Sequence, residues 1–167
     1  MRIIGIDPGY AIVGFGILDY AGSAFTPLEY GAIYTEAHTD FRKRLCDIYK
    51  DLNFILERYK PDCMSIEKLF SANNQKTVIK VAEARGVITL AAAQRDIPMY
   101  EYTPLQVKQS VVGYGRAEKK QVMEMTRNIL RLSEVPKPDD AADALALAIC
   151  HGHASMSLKF EAMGELL

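Results

Sequence analysis

The spacing of apolar residues divides the chain into segments of two different periods. Residues 2–7, 12–20 and 26–34 are short runs dominated by Val, Ile, Phe and Tyr, separated by Pro8-Gly9 and Ala21-Gly22-Ser23. Apolar runs bounded by turn-forming residues predict strands, and connections this short make an antiparallel meander the simplest pairing. From residue 40 the period lengthens. Phe41, Leu45, Ile48, Leu52, Ile55 and Leu56 recur at steps of three and four, predicting an amphipathic helix over 40–59 that ends before Pro61. A fourth strand then closes at Glu67. A second long, Ala-rich helix is expected over 77–95, a fifth strand over 98–102, and helices over 104–112, 117–132 and 139–155, punctuated by Gly or Pro. Five strands and five helices in this order predict an α/β domain, a mixed sheet flanked by helices. Gly86 inside the second long helix costs about 1 kcal/mol relative to Ala, so close packing there, against the sheet or a partner subunit, is expected.

Composition narrows the class. A chain of 167 residues suffices for one domain with a real core, and no Ser- or Gly-rich linker divides it. The last residues, roughly ten, are expected to form a flexible tail. Strand-like sequence directly after Met1-Arg2 and the lack of a long unbroken apolar run predict a soluble, cytoplasmic protein without a signal peptide or membrane span. Cys46, Cys63 and Cys150 have no paired spacing and are expected to be packed, reduced thiols. Twenty Lys and Arg stand against 21 Asp and Glu, which gives no overall basic footprint for nucleic acid. The distribution is less even: from Lys108 to Arg131, six basic residues (Lys108, Arg116, Lys119, Lys120, Arg127, Arg131) face two acids (Glu118, Glu124). That stretch can neutralise phosphates, although Arg127 and Arg131 fit a solvated helix face.

Four acids stand out against this background. Arg2-Ile3-Ile4-Gly5-Ile6-Asp7-Pro8-Gly9 puts Asp7 at the carboxyl end of a strand, where open α/β sheets bind ligands. Cys63-Met64-Ser65-Ile66-Glu67 ends in the same way. In Asp139-Asp140-Ala141-Ala142-Asp143, Asp140 and Asp143 are three residues apart and therefore neighbours on a helix surface, just before the apolar run Ala144–Cys150. On their own, Asp140 and Asp143 are equally explained as acids complementing the positive end of a helix that Pro138 and Asp139 open, with Asp139 as N-cap. Strand-terminal acids also commonly cap turns. Brought together, the four could not all stay ionised without cations, and oxygen-only ligands suit Mg²⁺ or Mn²⁺.

These residues resemble the acidic tetrad of the RuvC family of Holliday-junction resolvases. Asp7 lies in Gly-Ile-Asp-Pro-Gly, Glu67 in Ile-Glu-Lys-Leu-Phe, and Asp140 and Asp143 in Asp-Ala-Ala-Asp-Ala-Leu-Ala. Glu83-Ala84-Arg85-Gly86, Gln106-Val107-Lys108-Gln109 and Val112-Gly113-Tyr114-Gly115-Arg116-Ala117-Glu118-Lys119 follow in the family's order, so the resemblance spans nearly the whole chain. It implies an RNase H-like fold, a homodimer, and Mg²⁺-dependent symmetrical nicking of four-way DNA junctions in recombination and repair, in cooperation with the RuvA–RuvB branch-migration complex. The same resemblance makes Asp7, Glu67, Asp140 and Asp143 the catalytic and metal-holding residues, with two Mg²⁺ ions and Asp7 shared between them. It sets Lys108 and Lys119 beside the acids. Arg116 and Lys120 are assigned to DNA by proximity alone.

Phe70 sits in the polar stretch before Asn73, Asn74, Gln75 and Lys76, where a ring either stacks on an unpaired base or folds back over the core. Its position matches an aromatic that the family presents to the junction centre. His151 and His153, two residues apart, do not share a helical face and are expected to be structural or surface residues. Three alternatives remain. An actin-like ATPase shares the acid before a Gly turn, but this chain is too short for two lobes. A related nuclease acting on RNA in hybrids uses similar metal chemistry. A non-catalytic junction-binding protein would need only the basic stretch and Phe70.

Overall fold

A computed structural model describes the backbone of residues 1–69 and 75–164 and the side chains of residues 1–69 and 77–155. Its strands are β1 (Arg2–Asp7), β2 (Ile12–Ala21), β3 (Ala24–Tyr34), β4 (Cys63–Glu67) and β5 (Met99–Tyr102). Its helices are α1 (Phe41–Tyr59), α2 (Gln75–Ala93), α3 (Pro104–Val112), α4 (Lys119–Ile129) and α5 (Asp139–Gly164). The five strands form one sheet in the order β3-β2-β1-β4-β5. β1, β2 and β3 are the expected antiparallel meander, whereas β4 and β5 add in parallel beside β1. This is the mixed sheet with flanking helices of an RNase H-like fold. Residues 165–167, part of the expected tail, lie outside the described residues.

Alternation along the strands assigns the two faces. Side chains of successive strand residues point to opposite sides. Ile4, Ile6, Met64 and Ile66 pack with Ile48, Leu52 and Leu56 of α1 and Ile88 and Ala91 of α2. Ile3 and Cys63 instead pack with Leu145, Ala148 and Ile149 of α5, joined by Val111 of α3 and Val122 of α4. The sheet is thus covered on both faces, by α1 and α2 on one and by α3, α4 and α5 on the other.

Two sequence expectations are corrected here, for Cys46 and for the ends of α4, and of the two neighbours expected for Gly86 the sheet is not one. Gly86 has open space around it and packs against nothing within the described residues of the subunit. Cys63 and Cys150 are buried but Cys46 is exposed, on the outer side of α1. Helix α4 is shorter than expected at both ends. Gln121 Oε1 accepts a hydrogen bond from the Glu118 backbone N–H at 2.8 Å, which fixes its start, and Arg131 beyond its end takes a left-handed φ of 54°.

Candidate active site

Strand parity brings the first two acids together. Asp7 follows Ile6 and Glu67 follows Ile66, and Ile6 and Ile66 are register partners on the parallel strands β1 and β4. Asp7 has the parity of Ile3 and Gly5, and Glu67 that of Cys63 and Ser65, so both carboxylates face α5. Helix α5 lies directly on the strands there. A Cβ built on Gly5 would stand 1.9 Å from the carbonyl oxygen of Ala144, so only glycine permits this approach. From β4, the buried Ser65 hydroxyl donates to the Leu147 carbonyl at 2.7 Å. These contacts hold the first two turns of α5, with Asp140 and Asp143, over the carboxyl ends of β1 and β4.

The charges register this crowding. Burial first, and then the charges of Asp143, Glu67 and Asp140, push the Asp7 carboxyl up to about 7 from 3.8. Burial and Asp143 likewise raise Glu67, against the opposing charge of Lys119. Burial raises Asp143, and its hydrogen bond to Lys119 pulls it back. Lys119 Nζ lies 2.9 Å from Asp143 Oδ2 and 3.5 Å from Asp139 Oδ2. Burial draws the Lys119 ammonium down, but its bonds and charge interactions with Asp143 and Asp139 leave it raised. Asp139 is therefore not the N-cap expected from sequence. It is the first residue of the helix, and its carboxylate pairs with Lys119 on the outer side of the site.

Lys108 joins the same site through α3. That helix begins directly after β5 with a reciprocal cap. Thr103 Oγ1 accepts from the Gln106 N–H at 3.1 Å, and Gln106 Oε1 accepts from the Thr103 N–H at 2.8 Å, with Pro104 in the first turn. Lys108 and Lys119 line a cavity of ≈ 190 Å³ together with Glu67, Asp143, Val107 and Leu147. Arg116 and Lys120 are exposed, before and at the start of α4, and form no ion pair among the described residues. Phe70, Asn73 and Asn74, and the side chains of Gln75 and Lys76, lie outside the described residues. The two histidines, expected to be structural or surface residues, lie one in the interior and one at the surface. His151 is buried with Nδ1 2.8 Å from Tyr102 Oη, and His153 is exposed, with Nδ1 3.0 Å from Ser110 Oγ.

The donor set suits a hard divalent cation. It is built of carboxylate oxygens whose mutual repulsion a cation would relieve. Among the described residues no three His, Cys, Asp or Glu side chains close into a ready-made cage. Mg²⁺ does not require one, because it keeps several waters and usually takes only one or two protein carboxylates directly.

The family model described as crossover junction endodeoxyribonuclease RuvC matches residues 3–151. The chain belongs to the RuvC family. A RuvC from Caldanaerobacter subterraneus subsp. tengcongensis is 53% identical over 159 residues, covering 95% of this chain and 96% of that protein. The RuvC of Brevibacillus brevis is 58% identical over 151 residues, covering 90% and 91%. Among solved structures, Thermus thermophilus RuvC in complex with its Holliday-junction substrate superimposes with a TM-score of 0.89 at 34% identity, covering 94% of this chain and 96% of that one.

Proposed function

We propose that this RuvC-family chain is, as a single nuclease domain, a structure-selective endonuclease that resolves four-way DNA junctions by symmetric, Mg²⁺-dependent phosphodiester hydrolysis. The observation that carries this reading is the convergence of Asp7 and Glu67, from one face of two parallel strands, with Asp140 and Asp143 on the helix packed over them. Asp7, Glu67, Asp140 and Asp143 would hold two Mg²⁺ ions, with Mn²⁺ as a substitute. Bound there, such ions supply an activated water and neutralise charge on the departing 3′ oxygen.

The chain's own groups do the rest. The four carboxylates orient the reacting centre, and the close packing of α5 on β1 and β4 sets their positions before substrate arrives. Lys119 and Lys108, at the rim of the cavity beside Glu67 and Asp143, donate to phosphate oxygens and offset the negative field that would otherwise repel DNA. Phe70 is assigned to the junction centre, stacking on an unpaired base, and Arg116 and Lys120 to flanking phosphates. The assignment of Phe70 rests on family kinship, and those of Arg116 and Lys120 on proximity in the chain alone.

A homodimer fits a substrate whose two opposed strands are cut symmetrically. Its support is the outer face of α2. Ile79 and Leu90 are 59% and 52% exposed, and with exposed Ala82, Gly86 and Ala93 they recur at steps of three and four along one stripe. Two such stripes facing each other would give Gly86 the close packing that the isolated subunit lacks. Kinship is the support for proposing cooperation with RuvA–RuvB and action in the cytoplasm. Among the described residues no helix is long and apolar enough to cross a membrane.

The reading is tested by cleavage of a mobile four-way junction beside linear duplex and RNA/DNA hybrid, with and without Mg²⁺, by wild type and Asp7→Asn. Symmetric junction nicks that need both Mg²⁺ and Asp7 are expected. Tight junction binding without nicks would make the protein a non-catalytic binder, and cleavage of the hybrid alone would make it a nuclease of RNA.

A further inference from the structure

On the opposite face of the sheet from α5, but at the same edge as the acids, four elements converge on one cationic and aromatic cluster. Tyr10 follows Asp7 in the β1–β2 turn. Thr35 follows the end of β3. Phe41 and Arg44 lie in the first turns of α1, and Lys80 lies early in α2. Because β3 runs parallel to β1, with β2 antiparallel between them, the ends of β1, β3 and β4 lie on one edge. The cluster therefore borders the acidic centre across the sheet from Lys108 and Lys119.

The arrangement is built rather than incidental. The Arg44 guanidinium stands 4.9 Å from the centre of the Tyr10 ring. Lys80 Nζ lies 5.5 Å from the Tyr10 ring and 5.6 Å from the Phe41 ring, and the two rings meet edge to face at 6.0 Å. Arg44 Nε donates to Thr35 Oγ1 at 2.8 Å, and that hydroxyl donates in turn to the Tyr10 carbonyl at 2.7 Å. Asp40, the N-cap of α1, is taken by Arg42, and neither Asp47, one turn on from Arg44, nor Glu83, one turn on from Lys80, forms an ion pair with them among the described residues. Neither Arg44 nor Lys80 forms an ion pair among the described residues.

Aromatic faces orient cations without neutralising them. Two cations held against aromatic faces, with no ion-pair partner among the described residues, are suited to an anion brought from outside. We propose that Tyr10, Phe41, Arg44 and Lys80 form a second phosphate-binding surface, which holds the DNA backbone where a strand leaves the acidic centre on the α1–α2 side. The DNA class rests on the nuclease reading above. A strand whose reacting phosphate sits at Asp7 and Glu67 must continue past them in both directions. Lys108 and Lys119 serve one of these, and the cluster serves the other. The rings add a platform for a sugar or an unstacked base.

The test is binding of a labelled four-way junction, and of a linear duplex of the same length, across a KCl series, with Asp7→Asn as the uncleaving parent. Lys80→Gln, at an exposed position, is expected to weaken binding by about three- to tenfold and to reduce the slope of log Kd against log salt by about one, the signature of one lost phosphate contact. Arg44→Gln should act in the same direction, whereas Arg44→Lys should keep the slope. Unchanged affinity and slope in both Lys80→Gln and Arg44→Gln would overturn the proposal. So would a loss that Arg44→Lys shares in proportion to a lowered Tm while Lys80→Gln is silent, because the cluster would then be structural. A parent that does not prefer the junction to the duplex would count against the nuclease reading alone, since the slope change on duplex still decides the surface.

Discussion

Gly14 on β2 faces the backbone of Asp140 on α5 so closely that a Cβ there would stand 2.0 Å from the Asp140 carbonyl oxygen and 3.0 Å from the Asp140 Cβ. Gly14 is also the register partner of Asp7. One small residue thus sets the separation between the acid on the sheet and the acids on the helix. Gly14→Ala must lift the first turn of α5, because backbone cannot yield as a side-chain tip does. The expected cost is about 1–3 kcal/mol of stability, with a larger proportional loss of junction cleavage than of junction binding. Denaturant unfolding alongside single-turnover cleavage measures both. Cleavage that survives intact would show that α5 need not lie so close.

Asp7 carries a pH signature. Its carboxyl binds a proton more tightly in the folded chain, at about 7, than at its ordinary 3.8. The linked stabilisation is therefore complete below the ordinary value, shrinks as pH rises through the folded one, and is lost above it. Asp7→Asn is uncharged throughout. Without divalent cations, its Tm relative to wild type should rise between about pH 4 and pH 8, by an amount worth at most a few kcal/mol. Added Mg²⁺ should stabilise wild type more than Asp7→Asn at the upper end. A difference in Tm that is flat with pH would mean that Asp7 is neither desolvated nor held among like charges.

Asp139 and Asp140 are adjacent, but the structure gives them different neighbours. The Asp139 carboxylate reaches Lys119 on the outer side, whereas Asp140 acts on Asp7. Asp139→Asn should lower the cleavage rate by no more than about tenfold, in the manner of a residue acting through another. Asp140→Asn should lower it by more than about a hundredfold. The readout is the cleavage rate at saturating junction as Mn²⁺ is titrated. Asp140→Asn should shift the metal dependence, and equal defects in the two variants would reverse the assignment.

The sheet and its order of elements were readable from periodicity, because the strands are bounded by turn residues and α1 has a clean apolar stripe. The acids were readable as separate strand-end and helix-start residues, and strand parity alone puts Asp7 and Glu67 on a common face. What one-dimensional pattern does not carry is contact between distant segments. Gly5 and Gly14 look like ordinary strand glycines until Ala144 and Asp140 are seen against them. Asp139 reads as a cap because its true partner, Lys119, begins a different helix. The grouping of Tyr10, Thr35, Arg44 and Lys80 depends on four elements meeting at one edge, which no local window spans. For Gly86, of the two expected neighbours, the sheet is not one within the described residues, and a partner subunit is the neighbour that the proposed dimer would supply.

That outer face gives the last prediction. Leu90 is 52% exposed and no described residue comes near Gly86, so a charge at position 90 costs the isolated subunit little, within about 0.5 kcal/mol. In a twofold dimer built on α2, the same charge enters the interface from both copies and is buried against apolar surface without a partner. Leu90→Asp should therefore sediment as a monomer at concentrations where wild type is a dimer, with nearly unchanged monomer unfolding. It should still bind junctions, more weakly, and its two nicks should become uncoordinated, so that singly nicked junctions accumulate instead of resolved duplexes. If wild type and Leu90→Asp share one mass, or if Leu90→Asp resolves junctions with paired cuts, the dimer does not use this face, and Gly86 is small for some other reason.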